Sequence, residues 1–137
     1  MKYIYTILFI LMSLVASSQT LLLFGGMDHD IFLGCINCNG YSDNSVWNEY
    51  STYGNSNNSE SIWNEYGDYG SEYSDYSPWN PYANYPPVVV DRGGNFYGYL
   101  TVNKYNPKRA TIKLALIMCK YHEDIKDNVS EWADELF

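Results

Sequence analysis

Between residues 41 and 88 the chain has no lysine and no arginine, yet it holds seven acidic residues, Asp43, Glu49, Glu60, Glu65, Asp68, Glu72 and Asp75. A surface that grips phosphates needs cations. Nucleic acid and anionic membrane surfaces are therefore excluded as partners of this stretch. Calcium or a basic partner surface stays compatible with it. The spacing around Asp43-Asn44 and Asp75 matches no calcium loop, however, and these residues read as solvated turns. The formal charge of the whole chain is −8.

Other absences narrow the chemistry. Beyond residue 18 no apolar run reaches the roughly 20 residues that a membrane-spanning helix needs. There is no Gly-rich phosphate loop and no G-x-S-x-G elbow. The two histidines, His29 and His122, lie outside any nucleophilic motif. The expectation is a chain that is not an enzyme. Asp28-His29-Asp30 has the composition of an acid–base or metal site, but a polar hairpin turn accounts for it equally well.

Cysteine is scarce, and its placement leaves several readings open. Cys35 and Cys38 form a C-x-x-C pair, and Cys119 and His122 a C-x-x-H pair on one expected helix face. Together they could supply a tetrahedral zinc site. Against this, residues three apart in an extended strand point to opposite faces, so the two thiols converge only through a knuckle turn. A disulfide, Cys38–Cys119 or Cys35–Cys119, suits an exported protein. Three cysteines leave one unpaired, and buried free thiols are the simplest alternative. No βαβ setting supports a redox role.

What the chain does have begins with a leader. Lys2 opens it, residues 4–15 are apolar apart from Thr6 and Ser13, and Ala16 and Ser18 are the small residues a signal peptidase requires. The expectation is cleavage after Ser18, with Gln19 as the new terminus and export to the surface, the periplasm or the medium. A retained anchor is the alternative, disfavoured by the short apolar run. A lipoprotein reading of Phe32-Leu33-Gly34-Cys35 is weaker still, because polar residues separate that cysteine from the leader.

Repetition is the strongest signal in the remainder. Residues 41–56, 57–72 and 73–88 read YSDNSVWNEYSTYGNS, NNSESIWNEYGDYGSE and YSDYSPWNPYANYPPV. Without insertion, Trp47, Trp63 and Trp79 coincide, as do Asn48, Asn64 and Asn80. Tyr50, Tyr66 and Tyr82 fall together, then Tyr53, Tyr69 and Tyr85, with Ser45, Ser61 and Ser77 ahead of the motif. At four times that spacing, Gly34, Ile36, Asn39 and Tyr41 return as Gly98, Leu100, Asn103 and Tyr105. Both segments follow an apolar run and a Gly/Asp-rich turn, which predicts two β-hairpins. Within a repeat neither the helical nor the strand period persists. Each copy reads as a compact turn unit with its Trp inward, its serine capping a single turn and Gly54, Gly67 and Gly70 supplying unusual backbone angles. Such units bury their faces by stacking.

Twelve aromatic rings fall in residues 41–88. One reading makes the Trp and the first Tyr of each copy core, with the other tyrosines tiling a polar shell. The other gives Tyr53, Tyr69, Tyr73, Tyr76 and Tyr85 to a ligand. Flat rings beside Asn side chains suit stacking on sugars.

The tail changes character. Asn106-Pro107 predicts a helix start, and Leu114, Met118, Tyr121, Ile125, Val129, Trp132 and Leu136 follow as one helical stripe. A strand is the alternative for 111–118. The expected fold is α+β: two hairpins bracketing three turn-rich repeats over 19–107, with an amphipathic helix over 108–137.

The S-[VI]-W-N-x-Y-x-x-Y-G copies, with Ser61-Ile62-Trp63-Asn64, Ser77-Pro78-Trp79-Asn80 and Pro86-Pro87-Val88-Val89-Val90-Asp91, make residues 31–107 resemble a group of secreted bacterial proteins of uncharacterised function. The resemblance implies export and a shared architecture, and it transfers no activity. The first copy departs from it, with Ser51 where Gly67 stands in the second. The functional expectation is a non-catalytic binding or surface-interaction module for polysaccharide or another exported protein. A purely structural exported protein and a zinc-stabilised protein are its rivals.

Overall fold

The computed structural model describes residues 19–137, and the expected leader lies outside them. Strands β1 (Leu21–Gly25), β2 (Ile31–Cys35), β3 (Val88–Asp91) and β4 (Phe96–Tyr99) form one antiparallel sheet in the order β2-β1-β3-β4. Helices α1 (Lys113–Asp127) and α2 (Val129–Leu136) follow. The class is mixed α+β. Among the described residues no helix is long and apolar enough to cross a membrane.

The two hairpins join through their apolar first strands. Leu23 faces Val89 at the centre of the β1–β3 pair. Gly34 lies opposite Leu23 and Gly98 opposite Val89, each beside a bulge. This register gives the sheet a local two-fold axis through the Leu23–Val89 pair. Gly34 and Gly98 both have positive φ, 111° and 119°. A side chain on Gly34 would press on Val46 and Tyr53, and one on Gly98 on the backbone of Ala110. The chain returns past each glycine in the same way. Cys35 bridges Ser45 in parallel, and Tyr99 bridges Arg109.

The second bridge displaces the expected helix start. The carbonyl of Lys108 accepts from Tyr99 N–H, and Ala110 N–H donates to the Tyr99 carbonyl. Residues 106–110 are thereby committed to the sheet edge, and α1 starts at Lys113 without a side-chain cap. Thr111 and Ile112 precede it, and 113–118 is helical rather than strand. The expected single stripe is also broken. Asn128 adopts φ −143°, its Nδ2 donates to the Asp124 carbonyl, and its own carbonyl accepts from Trp132. Two helices result.

Residues 42–83 form a continuous chain of turns. Backbone N–H groups of Ser45, Asn48, Ser51, Asn58, Ser61, Asn64, Gly67, Ser74, Ser77, Asn80 and Ala83 each donate to the carbonyl three residues earlier. Asn55 and Ser71 reach back four residues, to Ser51 and Gly67. A path of three-residue steps with an occasional four has neither a helical nor a strand period. The core runs from the sheet (Leu23, Leu33, Val89) through Val46, Ile62 and the three tryptophans to Met118 and Ile125 of α1.

Candidate functional site

The site is built on three tryptophans with matching surroundings. The backbone N–H of Trp47, Trp63 and Trp79 donates to Oγ of Ser45, Ser61 and Ser77. Their indole Nε1 groups donate to the carbonyls of Ile36, Val46 and Ile62, at 2.7, 2.6 and 2.6 Å. Burying an indole requires a partner for its N–H, and here that partner also ties each Trp to the layer before it. The rings follow one another at 5.6 and 5.5 Å. Both ends are covered by the tail. His122 stacks flat on Trp79 at 4.6 Å, and Phe137 lies tilted on Trp47 at 6.0 Å. Between them Lys126 pairs with Glu65 at 2.7 Å.

The next residue shapes the turn that carries the first tyrosine of each copy. Nδ2 of Asn48, Asn64 and Asn80 donates to the carbonyls of Ser42, Asn58 and Ser74. Oδ1 of the same side chains accepts from the backbone N–H of Tyr50, Tyr66 and Tyr82. Asn39 does the same for Tyr41, and Asn103 for Tyr105. Such an Asx turn fixes the local backbone. At these five positions the ring projects into solvent, from 86% exposed at Tyr41 and Tyr82 to 94% at Tyr105. Tyr73, held in the same way by Ser71 Oγ, is also exposed. The first tyrosine of each copy is therefore surface and not core. N-x-Y alone was not a sufficient signal for it in the sequence, since Asn95-Phe96-Tyr97 shares the pattern and Tyr97 is half-buried against the core.

The second tyrosines point toward the sheet. Tyr53 sets its edge on Phe32 at 4.9 Å, and Tyr69 packs over Gly25. Both are half-buried against the core, and burial raises both phenols above their ordinary range. Tyr76 stacks on Tyr85 at 5.9 Å and lies 6.5 Å from Tyr69. Of the five tyrosines first assigned to a ligand, four thus form this half-buried layer, and Tyr73 alone stands on the open face. The repeat glycines also have a different role. None in 41–88 has positive φ. Gly54 and Gly70 are needed because a side chain would overlap the carbonyls of Asn48 and Asn64.

The zinc quartet is not assembled. Cys35 and Cys38 are joined to each other by a disulfide, so a turn does bring the two sulfurs together. Neither bonds Cys119, and a disulfide sulfur offers no thiolate to a metal. Cys119 is a buried free thiol that donates to the Thr101 carbonyl, and burial raises its pKa. His122 stacks on Trp79. Among the described residues no group of three or more His, Cys, Asp or Glu side chains is placed to hold a metal ion. Asp28-His29-Asp30 is the β1–β2 turn, with His29 at φ 52° and its ring nitrogen 3.1 Å from the Pro86 carbonyl.

Beside α1 the tyrosine face opens into a groove of about 500 Å³. Trp63, Trp79 and His122 line it together with Tyr66, Tyr73, Glu65, Glu72, Glu123 and Lys126. Burial holds the His122 imidazole below its ordinary range, against the opposing pull of Glu123 and Glu72. A shallower cleft carries Tyr73 and Tyr82, and another carries Tyr41 and Tyr50.

Comparison with protein-family models, with curated proteins and with solved structures finds no match.

Proposed function

We propose that the protein is an exported, non-catalytic binding module whose residues 41–88 are three copies of one folding unit, and that its outward tyrosines hold a polysaccharide. The leader at 1–18 supports export, as does the resemblance to secreted repeat proteins. The carrying observation is the row Tyr50, Tyr66 and Tyr82. A monomer gains nothing from holding phenol rings almost wholly in water, and exposed apolar patches mark interaction sites. The backbone beneath each ring is pinned by an Asn side chain. Little ordering entropy remains to be lost on binding. Rings repeated along one axis suit an extended ligand of repeating units, since each ring meets an equivalent unit. Flat apolar faces stack on sugar rings, and phenol hydroxyls exchange hydrogen bonds with theirs.

The test is retention of the purified chain on a panel of insoluble polysaccharides, comparing wild type with a Tyr50→Ser, Tyr66→Ser, Tyr82→Ser variant. Surface substitutions of this kind change stability by no more than about 0.5 kcal/mol each, so the melting temperature should hold while retention falls at least about tenfold. A panel without hits, together with tight self-association through the same rings, would favour the purely structural alternative.

A further inference from the structure

The groove beside α1 combines an aromatic floor with polar groups of nearly one sign. Its floor is formed by Trp63 and Trp79, and Tyr66 and Tyr73 stand at its rim. Three carboxylates line it, Glu65, Glu72 and Glu123. The ammonium that reaches it, Lys126, is held by Glu65 at 2.7 Å. This is the one ion pair among the described residues, so neither Glu72 nor Glu123 has a cation in direct contact. A volume of about 500 Å³ lies within the range of small-molecule sites.

Charge complementarity decides the occupant. An anionic ligand would meet three carboxylates against an ammonium that is already paired. A neutral ligand would gain nothing from the charge of Glu72 and Glu123, both exposed at the groove. A protonated amine satisfies a carboxylate with a charge-assisted hydrogen bond, and it also gains from the exposed rings of Tyr66 and Tyr73. The row of tyrosines runs into this groove at Tyr66, so a ligand lying along the row passes its mouth.

We propose that the groove binds a protonated amine, and hence that the polysaccharide held by the tyrosines carries free amino groups. This rests on the polysaccharide reading above and adds the chemical class of its units.

Three β-linked glucans that differ in one substituent serve as probes: cellulose with hydroxyl, chitin with acetamide and chitosan with free amine. Binding of the purified chain is measured at mildly acidic pH, where the amines are charged, with wild type and two charge-matched variants. One is Glu72→Gln with Glu123→Gln in the groove. The other is Asp28→Asn with Asp43→Asn, both exposed positions outside the groove lining. The expected result is at least about tenfold tighter binding to chitosan than to chitin, with that preference lost in the groove variant and kept in the other. Equal losses in both variants would reduce the preference to general attraction between opposite charges and overturn the groove assignment. Equal, tyrosine-dependent retention on all three glucans would overturn the amine while leaving the polysaccharide reading intact. No retention on any of them would remove both.

Discussion

A methyl group added to Gly70 would overlap the backbone carbonyl of Asn64, and one added to Gly54 would overlap that of Asn48. At Gly67 the same methyl meets only the Asn64 side chain, at 3.0 Å. Backbone cannot give way as a side-chain amide can, so Gly70→Ala should cost on the order of 3 kcal/mol and Gly67→Ala under about 1 kcal/mol. Urea unfolding of the two variants checks this. The tyrosines divide by the same logic. Tyr66→Ala removes a ring that touches water almost everywhere and should leave stability within about 0.5 kcal/mol. Tyr69→Ala opens a space between Gly25, Leu33 and Tyr76 and should cost about 2 kcal/mol. Inward tryptophans could be expected from sequence, because indoles spaced evenly among polar turns have nowhere else to hide. The inside or outside position of each tyrosine could not be settled from ring counts. The side-chain oxygen two residues before the ring holds the backbone N–H at outward Tyr50 and Tyr66 and not at Tyr53 and Tyr69, but it does not decide the position alone, since Ser74 Oγ holds the N–H of half-buried Tyr76 in the same way.

The elements differ in how openly the chain announces them. β1 and β3 are short apolar runs that end in Gly and Asp clusters, and their hairpins follow from that. Their joining into one sheet is a long-range pairing, Leu23 with Val89, that no local pattern encodes. The helical stripe is plain from its periodicity. Its start is not, since residues 106–110 are claimed by Tyr99, and its break at Asn128 depends on Asp124 and Trp132. The tail also carries a titrating group at its contact with the repeats. Burial disfavours charged His122 in the folded state, whereas the unfolded chain takes up its proton near the ordinary value of 6.5. The unfolded state therefore binds more protons below that value. The contribution to stability is complete above it and is lost as pH falls through it toward the lower folded value. The melting temperature should decline from about pH 7 to about pH 5. His122→Phe, which can keep the stack on Trp79 without a proton to gain, should flatten that decline. An unchanged slope in the variant would assign the pH dependence to other groups.

The whole molecule is a stack of layers held between a sheet and a strap. Each layer hands an indole hydrogen bond to the one before it, and the strap reaches the last layer through His122 and the first through Phe137. In such an architecture the layers interact chiefly with their neighbours. The middle layer should then be removable. Deleting residues 57–72 would bring Trp79 next to Trp47, with the Val46 carbonyl free to accept its indole N–H. The connections to β2 and β3 are unaffected, so the sheet can form as before. The strap is the part that no longer fits. Its two end contacts are set for three indoles, and with two the ladder is shorter by one ring spacing, about 5.5 Å. The Lys126–Glu65 pair is deleted with the layer. One end of the tail must therefore let go. α2 is the shorter helix and is joined through the break at Asn128, so it should be the part released. The expected deletion variant folds with a single cooperative transition at a lower melting temperature, and mild proteolysis removes its residues beyond Asn128 while sparing those of the wild type. A variant that fails to fold would show that the three layers form one indivisible core and that their matching sequences do not make them independent units.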